Sequence, residues 1–346
     1  MIYKYRFQND YTEGAHPSIL EALTKTNLQQ EEGYGNDSFC EEAGKLIKEQ
    51  IKNPQATVHF TSGGTQANII SLASMLKPYE SVVAPFTSHI SEHEAGAIEA
   101  TGHKINTVES PDGKLKPKQI EKVVKEHAMF GEHMVKPTVV FISQATELGT
   151  VYNKQELTDI SAVCKKHNLY LYLDGARIGV GLTASNSDIT LPELSALVDI
   201  LYIGATKNGG LIGEAIVINN KNLQENFRYH LKQRGALLAK GRILGIQFSQ
   251  LFKNDLYFSL AKHANQMAMK LTEGIKSCGY TFLTESTTNQ IFPILSNNVI
   301  EKLQSMYGFY VWSKNDGETS AVRLVTSWAT KEEAVEEFLS DLKSLS

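Results

Sequence analysis

The 346-residue chain is 42% hydrophobic and 21% charged, with a formal net charge of -4, which fits a globular protein with a sizeable core. The slight negative charge gives no electrostatic reason for binding to nucleic acid or to an anionic membrane surface. The chain has no apolar run of the roughly 20 residues that span a bilayer, no signal-peptide pattern and three widely separated cysteines without a CxxC pair, so we expect a soluble, cytoplasmic protein with reduced thiols.

About the first thirty to forty residues show little periodic structure, and we expect an arm that crosses other parts of the molecule. Short apolar segments then alternate with helical patterns. The predicted strands are Thr57–Phe60, Ser81–Ala84, Thr138–Ile142, Leu169–Leu173, Asp199–Ile203 and Glu214–Ile218. Their continuous apolar character indicates burial on both faces, and the helices between them indicate an α/β fold with a mainly parallel sheet.

The end of the chain has a different pattern. A long helix is predicted at about Leu256–Ser277, followed by short strands, a further short helix and a terminal helix from Lys331. We therefore expect a large domain with an N-terminal arm over residues 1–250 and a smaller C-terminal α+β domain over residues 251–346. In a parallel sheet ligands bind beyond the strand ends, so the residues that follow the strands are the candidates for function.

A glycine turn, Ser62-Gly63-Gly64-Thr65-Gln66, joins the first of these strands to a predicted helix. Two glycines allow a ligand to approach the backbone, and a helix N-terminus offers free N–H groups to a phosphate. The turn is neither a GxGxxG nor a Walker sequence. A plain strand–helix turn with Thr65 as the N-cap therefore remains an alternative to a phosphate site.

Two histidines, His89 and His93, follow the second predicted strand with the i,i+4 spacing of a helical metal site. No third ligand and no HExxH sequence accompanies them, so we expect no metal. The remaining alternatives for His89 are a histidine at the edge of the core and an imidazole that stacks on an aromatic cofactor.

Asp174 ends the strongly apolar segment Leu169–Leu173 and is followed by Arg177. A carboxylate in this position is partly desolvated and requires a cationic partner. Arg177 could be that partner. Alternatively, Asp174 faces a protonated ring nitrogen while the planar guanidinium of Arg177 binds a substrate carboxylate.

Lys207 lies at the end of the next strand, among small residues in Gly204-Ala205-Thr206-Lys207-Asn208-Gly209-Gly210. Burial there would lower the pKa of the amine and make it nucleophilic.

Arg323 is a charge within an apolar strand of the second domain and is interpreted either as an edge-strand residue or as half of a carboxylate clamp. A phosphate turn, a stacking residue, an Asp before an Arg and then a lysine occur in this order in aminotransferase-like enzymes that use pyridoxal 5'-phosphate (PLP).

The sequence resembles the low-specificity threonine aldolases of the β-eliminating lyase group over nearly its whole length. The shared segments are Tyr34-Gly35-Asn36-Asp37, GGTQAN, SHISEHEAGA, LDGARIG, the lysine segment ATK and VRLVTSW. This resemblance implies a two-domain PLP enzyme with active sites at a dimer interface, usually a tetramer built as a dimer of dimers. It implies retro-aldol cleavage of L-threonine, allo-threonine or a related β-hydroxy amino acid to glycine and an aldehyde.

The resemblance also implies a role for each matching residue. Lys207 would carry the cofactor as a Schiff base, with Thr206 beside it, and Asp174 would pair with the pyridinium nitrogen. His89 would stack on the ring and take part in proton transfer. Gly64 and Thr65 would bind the cofactor phosphate. Arg177 and Arg323 would bind the substrate carboxylate, with help from Asn9 and Tyr34. Arg177 would also lie next to the cofactor.

Three departures from the family pattern concern the substrate and the phosphate. The family commonly has a histidine near the substrate hydroxyl, where this chain has Glu147, and an aromatic residue where this chain has His93. We therefore expect Glu147 and His93 to replace the usual hydroxyl-contacting group. The arginine that some members supply to the phosphate has no clean match, and Lys240 or Arg242 is the expected substitute.

Three alternatives to this function fit the residues to different degrees. Another PLP-dependent amino-acid lyase with a different leaving group is the principal alternative. A catalytically silent PLP-binding scaffold has no need of Lys207, Asp174, Arg177 and Arg323 together. A dinucleotide-binding enzyme is disfavoured, since the glycine turn lacks the required spacing.

Overall fold

The computed structural model describes residues 3–345. Its largest element is a seven-stranded sheet with the order β2-β8-β7-β6-β5-β3-β4. The strands are β2 (Thr57–Thr61), β3 (Glu80–Pro85), β4 (Lys104–Val108), β5 (Lys136–Ser143), β6 (Tyr170–Asp174), β7 (Ile200–Gly204) and β8 (Glu214–Ile218). Strands β3 to β7 are parallel, while β8 is antiparallel to both of its neighbours, β2 and β7. The predicted α/β class with a mainly parallel sheet is confirmed.

Strand β4 is the one member of this sheet that we did not predict. It lies at the sheet edge, and only its central residue, Asn106, is buried. The sequence KINTV therefore has no continuous apolar run, because an edge strand need not be buried on both faces.

Helices cover both faces of the sheet. The large-sheet helices are α2 (Ser38–Gln50), α3 (Gly64–Met75), α4 (His89–Glu92), α5 (Pro117–Met129), α6 (Lys154–Lys166), α7 (Ile178–Leu182), α8 (Leu191–Leu197), α9 (Phe227–Gln233) and α10 (Arg242–Leu251). Val140 and Leu171 of the strands pack into one apolar cluster and Phe141 and Tyr172 into another. Consecutive strand residues thus enter opposite cores, which explains why these strands are apolar throughout.

The arm differs from the expectation, because it includes a further helix, α1 (Pro17–Thr26). Pro17 opens the helix, and the side chain of His16 accepts a hydrogen bond from the backbone N–H of Ser18. Ile19 is fully buried in the core of the large sheet. A single buried face over ten residues is a weak periodic signal, so the helix was missed.

The C-terminal part contains helix α11 (Leu256–Ser277), as predicted, and a five-stranded antiparallel sheet. The remaining elements are β9 (Thr281–Phe282), β10 (Gln290–Ile291), β11 (Pro293–Ser296), α12 (Asn297–Gln304), β12 (Tyr307–Gly308), β13 (Tyr310–Lys314), β14 (Thr319–Val325) and α13 (Glu332–Leu345). The arm joins this part too, because β1 (Tyr5–Arg6) pairs with β12 and Phe7 packs into its core. The domain boundary near residue 250 stays a prediction. No helix among residues 3–345 is long and apolar enough to cross a membrane.

Candidate active site

Two adjoining cavities lie at the end of the large sheet where its parallel strands terminate. The inner cavity, of about 280 Å³, lies where β6 and β7 end and β8 begins, and it includes Asp174, Lys207 and Glu214. The outer cavity, of about 420 Å³, extends toward the C-terminal part of the chain and includes Trp312 and Arg323. Five residues line both cavities: Tyr11, His89, Glu147, Arg177 and Lys207. The structure therefore brings together residues from the arm, the large sheet and the C-terminal sheet.

The predicted glycine turn lines the inner cavity. Gly63 is the N-cap of α3 and makes no side-chain capping bond, so the first N–H groups of the helix have no side-chain acceptor from that residue. Thr65 lies inside the helix rather than at the N-cap. A Cβ at Gly64 would lie 3.0 Å from the Tyr202 hydroxyl, which explains the glycine there. This turn retains the features of an anion site.

Asp174 is buried in the wall of the inner cavity and is held by neutral donors. One carboxylate oxygen accepts hydrogen bonds from the Tyr202 hydroxyl at 2.6 Å and the Ala176 N–H at 3.0 Å, and the other accepts one from the Asn68 amide at 3.2 Å. Within residues 3–345 no cationic side chain lies within ion-pair distance (4 Å) of Asp174, so Arg177 is not its partner. A negative charge fixed in this way is complementary to a cation inside the cavity.

His89 belongs to the same hydrogen-bond network. Its Nδ1 lies 2.8 Å from Oε1 of Glu94, and the Asn68 amide donates to that same oxygen at 2.7 Å. Glu94 is buried, and the next two residues, Ala95 and Gly96, both have positive φ angles. The helix that begins at His89 is only four residues long, and the imidazole is fixed beside the cavity by a buried carboxylate.

Lys207 follows β7 and lines both cavities. Burial, and next the neighbouring Arg177 guanidinium, lower the pKa of its amine. No carboxylate of the described chain is within ion-pair distance of Nζ. Glu214 also lines the inner cavity, where Thr206 donates to its Oε1 at 3.0 Å and its Oε2 is buried without a partner. Burial raises the pKa of Glu214, which favours its neutral form beside the amine.

Glu147 lies in the wall shared by the two cavities. Its Oε1 accepts hydrogen bonds from the Ser143 hydroxyl at 2.8 Å and from the His89 backbone N–H at 3.1 Å. Its Oε2 is buried and has no partner in the described chain. Burial, and next the charge of Asp174, raise the pKa of Glu147. A carboxylate that is anchored through one oxygen while the other is free can accept a proton from a bound ligand.

The two predicted arginines both reach the outer cavity, but their surroundings differ. Arg177 forms a bidentate ion pair with Asp10 of the arm, at 2.7 and 3.0 Å. Arg323 donates only to the backbone carbonyl of Gln8, at 3.3 Å, and its buried Nε has no partner among residues 3–345. Arg323 is thus the guanidinium with more donors available to a ligand.

The outer cavity has an aromatic wall from the C-terminal sheet. The ring of Trp312 lies 6.2 Å from that of His93, and the Arg323 guanidinium lies 5.2 Å from the Trp312 ring and 5.6 Å from the Tyr310 ring. Burial, and next His89, lower the pKa of His93, so this imidazole is neutral at neutral pH.

Four predicted site residues line neither the inner nor the outer cavity. Asn9 forms a turn in the arm, with its side chain accepting hydrogen bonds from the Tyr11 N–H and the Thr12 hydroxyl. Tyr34 lines a separate cavity of about 380 Å³. Its backbone N–H donates to the carbonyl of Ala239, which places Lys240 in the same region. The predicted substitute Arg242 donates to the carbonyls of Thr26 and Gln29.

Sequence reasoning missed several residues of the site, among them Asp10, Asn68, Glu94, Tyr202, Glu214 and Trp312. The signal for Glu214 was available. Like Asp174, it is a carboxylate at the end of an apolar strand, and an antiparallel strand begins at the edge where its parallel neighbours end. The contacts of Asp10 had no local signal, because its partner Arg177 is far away in the sequence.

The chain is similar to known proteins over nearly its whole length. A family model described as β-eliminating lyase matches residues 7–298. The low specificity L-threonine aldolase of Pseudomonas aeruginosa is 33% identical over 342 residues, which are 98% of this chain and 97% of that protein. The solved threonine aldolase of Leishmania major is 49% identical, covers 99% of both chains and superposes with a TM-score of 0.97. An aspartate aminotransferase of Thermus thermophilus, 15% identical with a TM-score of 0.73 over 99% of this chain and 92% of its own, shares the fold.

Proposed function

Since the chain belongs to the β-eliminating lyase family, whose members with this fold depend on PLP, we propose that it cleaves L-threonine, allo-threonine or a related β-hydroxy amino acid to glycine and an aldehyde. The observation that carries this proposal is the shared wall of the two cavities, where Lys207, His89 and Glu147 lie together. A cofactor in the inner cavity and a substrate in the outer one would meet at this wall.

The inner cavity fits PLP in its charges and donors. The Asp174 carboxylate, which lacks a cationic partner in the described chain, would pair with a protonated ring nitrogen. The free N–H groups at the start of α3, with Gly64 and Thr65, would bind the phosphate. His89 would stack on the ring, Thr206 would lie beside it, and Lys207 would attach the cofactor covalently. When bound, PLP supplies a conjugated cationic ring that accepts the electrons of a broken bond at Cα.

The residues of the outer cavity would orient the substrate. Arg323 and Arg177 would bind its carboxylate, which fixes the bond from Cα to Cβ in the direction required for cleavage. The β-hydroxyl proton would pass to Oε2 of Glu147, the anchored carboxylate with one free oxygen. His93, which is neutral and lines the same cavity, would donate a hydrogen bond to this hydroxyl or accept one from it. Glu147 and His93 would thus replace the histidine that the family commonly uses.

We further propose that two copies of the chain form a dimer, that each active site needs residues from both copies, and that two such dimers pair into a tetramer. Tyr34 and Lys240 fail to reach the cavities of their own chain, yet they lie in a basic region with Arg228, which donates to the Tyr34 carbonyl, and Lys232, 4.6 Å from the Tyr34 ring. From a second copy they would reach the phosphate or the substrate, whereas Asn9 would act within its own chain. A cytoplasmic location is consistent with free cysteines at 40, 164 and 278.

The proposal is tested by incubating the purified, PLP-loaded enzyme with L-threonine and measuring acetaldehyde and glycine. We expect the two products in equal amounts, and a borohydride-sensitive absorption band of the bound cofactor. Lys207→Ala should lack both the band and the activity, a loss of at least about 10³-fold, because no other residue supplies the attaching amine. If no aldehyde forms from threonine, allo-threonine or phenylserine while the band is intact, the aldolase assignment fails and another amino-acid lyase reaction is favoured.

A further inference from the structure

The guanidinium of Arg177, proposed above to bind the substrate carboxylate, is already engaged by a carboxylate of the same chain. Asp10 accepts from Nε of Arg177 at 2.7 Å and from Nη2 at 3.0 Å, and it also accepts from the Asn289 amide at 2.9 Å. Asp10 is only 1% exposed. Burial alone would raise its pKa, but the Arg177 guanidinium, and next Lys207, outweigh burial and hold the pKa below its usual value. The carboxylate is therefore charged.

This ion pair determines how much of Arg177 remains for a ligand. A guanidinium has five donors in a rigid fork, and the bidentate contact uses one edge of the fork. In the described chain Nη1 has no protein acceptor, so this nitrogen is the part of Arg177 that a substrate carboxylate can contact without breaking the pair. Removing one partner of a buried pair leaves an uncompensated charge, so an incoming carboxylate gains little by displacing Asp10.

Asp10 is also held on the side of the C-terminal sheet. Phe7 packs into the core of that part, Gln8 accepts from Arg323, and the amide of Asn289 donates both to Asp10 and to the Thr326 carbonyl. Tyr11, the next residue, lines both cavities. The same short stretch of the arm therefore contacts both arginines and connects the large sheet to the C-terminal sheet beside the substrate site.

We propose that Asp10 is a positioning residue that holds Arg177 with its Nη1 toward the outer cavity and neutralises one of the two guanidinium charges there. The clamp formed by Arg177 and Arg323 then carries one net positive charge after Asp10 is counted, which matches the single α-carboxylate of glycine or threonine. This inference rests on the proposed function. Without Asp10, the buried edge of Arg177 would turn toward another acceptor, and the substrate carboxylate would lose a fixed donor.

The experiment is a calorimetric titration of glycine, the amino-acid product, into PLP-loaded enzyme. For Asp10→Asn we expect the dissociation constant of glycine to rise about tenfold or more, since a charged hydrogen bond at the carboxylate is lost. KM for threonine should rise similarly, with a smaller change in kcat. Asp10→Glu keeps the charge but moves it, so its glycine affinity should lie between those of the wild type and Asp10→Asn, even if Asp10→Asn folds poorly.

Glu13→Gln is the matched control. Glu13 is a second carboxylate of the same arm, but it accepts hydrogen bonds from Ser327 and Tyr5 and has no contact with Arg177. Its substitution should leave the glycine dissociation constant within about twofold. Equal glycine affinity in Asp10→Asn and wild type overturns the inference, as does equal weakening in Glu13→Gln. Tighter binding in Asp10→Asn also overturns it and identifies Asp10 as a competitor of the substrate. A wild type that cleaves no β-hydroxy amino acid instead overturns the proposed function.

Discussion

The inner and outer cavities are built in different ways. Asp174, Lys207 and Glu214 of the inner cavity lie at neighbouring strand ends of one sheet and are positioned by that sheet. The outer cavity depends on contacts between distant segments, such as Asp10 with Arg177 and Gln8 with Arg323. One rigid sheet thus positions the residues proposed to surround the cofactor ring, whereas the proposed substrate site requires the arm and the C-terminal sheet to pack correctly. Changes in the inner cavity should affect every substrate, and changes in the aromatic wall of the outer cavity should depend on which substrate is used.

After the loss of Lys207, the largest effect in the shared wall is expected for Glu147→Gln. If Oε2 of Glu147 accepts the hydroxyl proton, kcat for threonine should fall by about 10²-fold or more, which is typical of a lost general base. Cofactor absorbance should be unchanged, because Glu147 is placed to contact the substrate. His93→Phe should lower kcat less, since its imidazole supplies a hydrogen bond alone. Unchanged cleavage in both variants would show that neither residue contacts the substrate hydroxyl. The outer cavity would then not be the place where the hydroxyl proton is removed.

Glu147 also determines the expected pH dependence of kcat/KM. Burial and the charge of Asp174 raise the pKa of Glu147, and only its ionised form can act as a base, so kcat/KM should rise with pH through a midpoint above the usual glutamate value of about 4.3. The raised pKa of Glu147 has the opposite effect on folding stability, which falls as pH rises. A raised pKa in the folded state stabilises the protein below the unfolded pKa, and this contribution is lost as pH rises through the folded pKa. Glu147→Gln should therefore remove the acidic limb of the rate profile and lose no thermal stability as pH rises above the usual glutamate pKa.

A smaller effect is expected for Glu94→Gln at the inner cavity. Glu94 accepts from Asn68 and contacts Nδ1 of His89, so its charge orients the imidazole that would stack on the cofactor. We expect kcat/KM to fall about tenfold for threonine and phenylserine alike, the scale of a lost charged hydrogen bond. The cofactor absorption and circular dichroism bands should shift. The exposed Glu92 provides the control, and Glu92→Gln should leave bands and rate unchanged. A loss confined to one substrate would contradict the assignment of this network to the cofactor.

The comparison of the two cavities also explains what could be predicted from the sequence. Asp174, Lys207 and the turn at Gly64 were predicted because each follows an apolar strand, and parallel strands bring their ends together. Asp10 and Trp312 were not, since their positions depend on pairing with residues far away in the sequence: β1 with β12, and β13 with β14. Glu94 was overlooked beside the histidine pair, because the i,i+4 spacing indicates a helix through His93, whereas the helix ends at Glu92 and the chain then places Glu94 in the interior.

The smallest effect, and the one specific to the outer cavity, is expected for Trp312→Ala. Its ring packs near His93 and Phe292 and under the Arg323 guanidinium, and it lines the outer cavity but not the inner one. An aromatic contact contributes about 0.5–1.5 kcal/mol, so kcat/KM for phenylserine should fall about three- to tenfold more than for threonine, whose methyl group has no ring to pack against the wall. Both rates are measured on the same preparation, which makes threonine the internal control. An equal fall for both substrates would show that Trp312 acts through Arg323 and the carboxylate, so that the aromatic wall does not select the β-substituent.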